Sequence, residues 1–127
     1  MKPEFNPIFI RLRSILEPYA ARLKVTADAA DHYCLELAPT PNLKKAFPAA
    51  WVMINKNYVS YHFMPVYMFP SLRESMSPQL RSRMQGKSCF NFKALNETLF
   101  KELEKVTAEG FAMAKKSGVA AAPSAQK

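Results

Sequence analysis

The sequence predicts an α+β fold: an antiparallel sheet with N- and C-terminal helices packed on one face, a two-layer sandwich. Three observations carry this. Apolar residues recur at three- and four-residue spacing near both ends of the chain, the period of a helix with one buried face. Between them lie stretches that alternate with period two, as half-buried strands do. Two of these, AAWVMINK (49–56) and YVSYHFMPVYM (58–68), are separated by so short a polar turn, Asn55-Lys56-Asn57, that they read as a hairpin. Hairpin-linked strands between terminal helices imply a sheet with one covered face.

Taken in order, Asn6-Pro7 starts the first helix, with Asn6 as N-cap and Pro7 where its missing N–H costs nothing. Ile8, Leu12, Ile15, Leu16, Tyr19 and Leu23 form an inward stripe to about Lys24, with a kink or break expected before Pro18. Asp28 to Asp31 read as a polar turn. HYCLELA (32–38) alternates as a half-buried strand bounded by Pro39, Pro41 and Asn42. In the second hairpin strand, Pro65 should end regular pairing or mark an edge. Ser77 as cap, Pro78 in the first turn and Gly86 as the stop then frame a short helix. SCFNF (88–92) is the last strand. From Ala94 to about Lys116 a long helix carries Leu95, Leu99, Leu103 and Val106 inward, with Phe111 and Ala114 beyond Gly110. Residues 1–116 thus make a single domain, and 117–127 form a tail with too little bulk to pack.

The chain has 127 residues, with 49% hydrophobic and 22% charged, an ordinary globular balance for one domain. No run of eighteen apolar residues is present, which excludes a transmembrane helix. Arg11, Arg13 and Glu17 interrupt the N-terminal apolar stretch, unlike a secretory signal. The two cysteines, Cys34 and Cys89, are expected as reduced thiols of a cytoplasmic protein. Eighteen Lys and Arg against ten Asp and Glu leave a net charge of +8. Part of the excess falls in 57–93, where Arg73, Arg81, Arg83, Lys87 and Lys93 face Glu74 alone. Such a region serves either as a solvated surface or as a nucleic-acid contact.

Strand parity sharpens the reading, since alternate side chains point to opposite faces. With Tyr33, Leu35, Leu37, Val52, Ile54, Val59, Tyr61, Phe63, Phe90 and Phe92 turned toward the helices, the other face receives His32, Cys34, Glu36, Trp51, Met53, Asn55, Tyr58, Ser60, His62, Met64, Cys89 and Asn91. Both histidines, both cysteines and the only tryptophan share that second face. Three readings of it stand open. It is further core, covered by the short helix, a loop or a second subunit in a homodimer. It is a binding face for a small molecule or protein partner, formed by Trp51, Met53, Tyr58, His62, Cys89, Asn91 and His32. Or it holds iron or zinc through His32, Cys34, His62 and Cys89, although no C-x-x-C or H-x-x-x-H spacing supports a compact site.

No G-x-S-x-G, Walker A, G-x-G-x-x-G or H-E-x-x-H motif occurs, and three glycines leave little room for a phosphate-cradling loop. Cys89 with a distant histidine is a weak sketch of nucleophile and base, and no catalytic residue is assigned. Arg81, Arg83, Lys87 and Ser88, around Gly86, form a candidate anion site through cationic and backbone groups. The alternative there is a helix-ending glycine among solvated cations.

VSYHFMPVYM (59–68), LRESM (72–76) and above all GKSCFNFK (86–93), followed by a leucine-bearing helix, resemble the YdhG-like family of small proteins of unknown function. The likeness runs from Lys56 to about Glu104, about two-fifths of the chain. One branch of that family is described as a frataxin-like iron chaperone, and its helix–sheet–helix sandwich agrees with the element order above. Frataxin-like iron handling is associated with an acidic ridge on the first helix and strand. Here Glu17 stands against Arg11, Arg13 and Arg22, with only Asp28 and Asp31 following, so iron binding is not carried over. The expectation is therefore a cytoplasmic, non-enzymatic binding domain without a cofactor, with nucleic-acid binding through 73–93 as the alternative and metal handling third.

Overall fold

The N-terminal stripe folds into α1 (Phe5–Leu16), which buries Phe5, Ile8, Phe9, Leu12, Ile15 and Leu16. The fold comes from a computed structural model and is described for residues 5–21, 23–37, 47–86 and 88–117. Asn6 is not the cap: the helix already includes Phe5, and Pro7 lies in the first turn, where backbone N–H groups have no helical partner. The break at Pro18 occurs as expected, in a 3-10 turn over Glu17–Tyr19.

The chain then forms a strand where the end of a helix and a polar turn were expected. This β1 (Lys24–Ala29) is exposed along most of its length; KVTADA alternates with period two, but its apolar members, Val25, Ala27 and Ala29, are small or exposed, and extending the first helix to Lys24 passes over it. It pairs antiparallel with β2 (His32–Leu37), with an irregularity between Val25 and Ala27. β3 (Phe47–Ile54) and β4 (Val59–Phe63) form the expected hairpin. Between β2 and β3, Leu35 pairs with Ala50 and Glu36 with Pro48, so Ala49 is an extra residue. Ala49 and Ala50 are both buried, and Ala49 packs with Ala114 in the helix layer.

MPVYM is helical rather than a continuation of the strand. Pro65 falls in the first turn of α2 (Met64–Met68), where the missing donor is harmless. α3 (Pro70–Glu74) follows, then α4 (Pro78–Arg81), capped by Ser77, whose Oγ accepts from the Leu80 N–H at 3.1 Å. Glu102 accepts in turn from the Ser77 N–H and O–H, both at 2.7 Å. α4 stops well short of Gly86. Met84–Gln85 instead make a short strand, β5, and Gly86 (φ +79°) begins the turn into β6 (Cys89–Phe92). Leu95 stays outside the last helix and is 55% exposed, contrary to its inward assignment. α5 (Glu97–Ser117) begins after Asn96, whose Oδ1 accepts from the Leu99 N–H. It runs one residue past the expected domain end; the tail 118–127 lies outside the described residues.

All pairings are antiparallel, in the order β1-β2-β3-β4-β6-β5. Each of the five helices contributes buried side chains to one core over one face of the sheet, including Val66, Leu72 and Leu80 from the short ones. Two contacts dock α5 on β4. The Tyr61 and Thr107 hydroxyls, both wholly buried, are 2.6 Å apart. One turn along α5, Gly110 lies against the Phe63 ring, where a Cβ would overlap the ring carbons and reach Leu72 at 3.0 Å. Arg11 ties α1 to α5 through Glu97 and Glu104, each at 2.8 Å. Arg13 lies 4.4 Å over the Tyr33 ring and pairs with Glu17 and Asp28. Among the described residues, no helix is long and apolar enough to cross a membrane.

Gly110 gives a test of this docking. Helix propensity favours alanine by about 1 kcal/mol, but the methyl group has no space unless the helix moves off the sheet. Gly110→Ala is therefore expected to lower stability by about 1–3 kcal/mol in urea unfolding. An unchanged or stabilised variant would refute the close approach.

Candidate functional site

The parity reading places the site residues on the sheet face that the core leaves out. None of His32, Cys34, Trp51, Met53, Tyr58, His62, Cys89 and Asn91 belongs to the hydrophobic core clusters. Cys34 is buried, and the other seven are half-buried. Register sets them in rows across the strands. Cys34 pairs with Trp51, Trp51 with His62, His62 with Cys89, and Cys89 with Gln85. In the adjacent row His32 pairs with Met53, Met53 with Ser60, and Ser60 with Asn91.

At the centre, the Trp51 and His62 rings lie stacked with centroids 3.7 Å apart and planes 9° from parallel. Such contact is what cross-strand neighbours on one face of an antiparallel pair allow. The Ser88 Oγ sits at the edge of the imidazole, 3.2 Å from Nδ1 and 3.3 Å from Nε2. Burial against the indole withholds solvent from the ring and pulls the His62 pKa down to about 4, so the imidazole is neutral near pH 7. In the next row Asn55 donates from Nδ2 to the Ser60 Oγ at 3.0 Å and to the Met53 carbonyl at 3.3 Å. Asn91 keeps its Oδ1 buried without a partner.

These environments bear on chemistry. Burial pushes both thiols up, at Cys34 against an opposing hydrogen bond from Thr26 and at Cys89 against one from the Phe90 backbone. Cys89 and His62 are neighbours, but a raised thiol beside a lowered imidazole does not form the thiolate–imidazolium pair that a cysteine nucleophile needs. Among the described residues, no three His, Cys, Asp or Glu side chains converge to hold a metal. The four residues suggested for iron or zinc are instead strung along two rows. What the face offers is a neutral surface of stacked rings, a thioether and amide groups.

The residues suggested for an anion site fall at a helix end, at a sheet edge and in the turn into β6. Ser88 turns its hydroxyl to His62, Arg81 ends α4, and Lys87 lies outside the described residues. Arg83 goes elsewhere: its carbonyl accepts from the Asn91 N–H at 2.8 Å, which sets Arg83 opposite Asn91 at the sheet edge. Sequence reasoning missed this because it assigned 78–86 to a helix. The available signal was the alternation of inward Met84 with outward Gln85, followed by a glycine turn into a strand. Two cavities, of about 440 Å³ beside Leu72 and Glu109 and about 510 Å³ beside Ile10 and Arg13, lie in the helix layer and include none of the residues singled out from sequence.

The depressed His62 pKa has a measurable consequence. In the unfolded chain the imidazole protonates near its ordinary 6.5, in the folded chain only near 4. Its contribution to stability is thus complete above about pH 6.5 and is lost as pH falls from there toward 4. The stability difference between pH 7 and pH 4.5 should shrink in His62→Gln, and the His62 ring signals should titrate below pH 5 by NMR. A midpoint at 6 or above would show a solvated ring. No family model, curated protein or solved structure matches the chain, so the function of this face has to be argued from its own residues.

Proposed function

We propose that the protein is a non-enzymatic binding domain that takes a small molecule or a partner on the sheet face centred on Trp51 and His62. The observation that supports this most is the position of the stacked pair. It is half-buried on the face opposite the helices and outside the core to which all five described helices contribute. An apolar, aromatic surface with a few polar groups is the composition of a binding site. The neutral imidazole and protonated thiols favour recognition over acid–base or nucleophilic chemistry. The block that resembles the YdhG-like family, GKSCFNFK, supplies Ser88, Cys89 and Asn91 to this same face, which makes the face the natural location of whatever role that resemblance implies.

Trp51→Ala separates a binding face from a second core. Losing a half-buried ring and its stacking partner should cost about 1–2 kcal/mol, whereas emptying a true core position costs about 3–5 kcal/mol. In the wild type, acrylamide should quench Trp51 fluorescence readily. Native mass spectrometry of gently purified protein should then show a bound mass that the variant lacks. A loss of 3 kcal/mol or more, together with a shielded Trp51 in a protein of doubled mass, would make the face a subunit interface and overturn the proposal.

A further inference from the structure

We infer that the partner of this face is single-stranded nucleic acid, entering at the corner where β4, β6 and the start of β5 meet. The inference rests on the open-face reading and adds the chemistry of the partner. Register brings the corner together. Val59 pairs with Phe92 and Ser60 with Asn91, and Tyr58 and Lys93 follow directly beyond the last pair of this ladder, at the same end of the sheet. Arg83 lies opposite Asn91, held by the Asn91 N–H to Arg83 carbonyl bond. Lys56, on the β3–β4 turn, stands at the same end of the sheet. Lys56, Arg83 and Lys93 are exposed, and among the described residues none of them is in a salt bridge.

Charge distribution favours a polyanion. In the helix layer Arg11 and Arg13 are engaged by Glu97, Glu104, Glu17 and, from β1, Asp28, and Glu102 is bound to Ser77. The whole chain carries a net charge of +8. On the open face the carboxylate is Glu36, across the sheet and opposite Lys24, and Asp31 sits at the β1–β2 turn. Neither is on β4, β5 or β6. β4, β5 and β6 thus carry no acid, and the acid at this end of the sheet is Asp31, whose carbonyl accepts from the Ile54 N–H at 2.9 Å, on the far side of Lys56 from Arg83 and Lys93.

The remaining groups favour a nucleic acid strand over an acidic protein. Tyr58 brings a ring to the sheet end that carries Lys93, and base-stacking rings together with phosphate-binding cations are what single-strand sites use. Among the described residues, Asn91 Oδ1 is a buried side-chain acceptor without a partner, and turning the amide over presents it to a base amine. From this corner the surface continues through Ser60 and Met53 to the Trp51–His62 stack.

The test is fluorescence anisotropy with a labelled twelve-nucleotide oligo-dU, using the full chain. With three phosphate contacts, each contributing about −0.7 to the salt slope, affinity should fall roughly tenfold to twentyfold between 50 and 200 mM salt. The double variant Arg83→Gln/Lys93→Gln should bind roughly tenfold more weakly with a slope reduced by about 1.4. Arg73→Gln, on α3, should change neither. Absence of binding at 50 mM salt overturns the inference, as does equal loss in all variants, which would indicate diffuse attraction. Competition by polyglutamate as effective as by unlabelled oligo-dU would replace the nucleic acid with an acidic protein. Quenching of Trp51 by acrylamide, measured alongside, separates the two levels. An accessible Trp51 without oligonucleotide binding sinks this inference alone, and a shielded Trp51 removes the open face as well.

Discussion

The hydroxyl pair Tyr61–Thr107 is the contact on which the arrangement turns. It is a polar bond in a hydrocarbon core, and neither group has solvent to fall back on. A buried hydroxyl left unmatched is costly, so each fixes the position of the other. The Tyr61 phenol, raised by burial, stays protonated and keeps the bond neutral. With Thr107 held, the position one turn on must be a glycine against Phe63, because those two sheet residues lie two apart on the same face of β4. α5 therefore has one rotation and one depth over the sheet. α1, tied to α5 by Arg11, takes the rest of the covered face.

The properties of the opposite face follow from that one-sidedness. Its side chains are spaced by the sheet rather than locked by a helix above them, which leaves the rings and the Cys89 thiol half-buried and polar groups only partly matched. Partial burial is enough to strip water from His62 and from the thiols without giving them charged partners. The face is accordingly poor in reactive groups and rich in contact surface.

Much of this was legible in the sequence, for a physical reason. Period-two alternation in HYCLEL, VMI, YHF and CFNF sets the face of every central strand, and the shared face of His32, Cys34, Trp51, His62, Cys89 and Asn91 needs no register to be known. Which of them touch does need register, so the Trp51–His62 stack and the Ser88–His62 contact were out of reach. The edges were misread because edges carry little hydrophobic information. β1 buries no side chain fully, and β5 has two residues. Pro65 was read as a limit on a strand although it suits the first turn of a helix equally well. Gly86 was read as the stop of a helix, but its positive φ belongs to a turn that joins two strands.

The Arg11–Glu97 contact spans 86 positions of sequence, and the whole apolar stripe of α1 shares that condition. Its partners are β3, β4 and α5, so no early neighbour shelters Phe5, Ile8, Phe9 and Leu12 as the chain is made. Native pairing closes long loops before any of them is rewarded, which places this domain among slow folders relative to helical bundles of its size. During synthesis the first helix waits, greasy side outward, for the β3–β4 hairpin and then for the last helix. That interval is when the chain is most open to self-association or to capture by a chaperone.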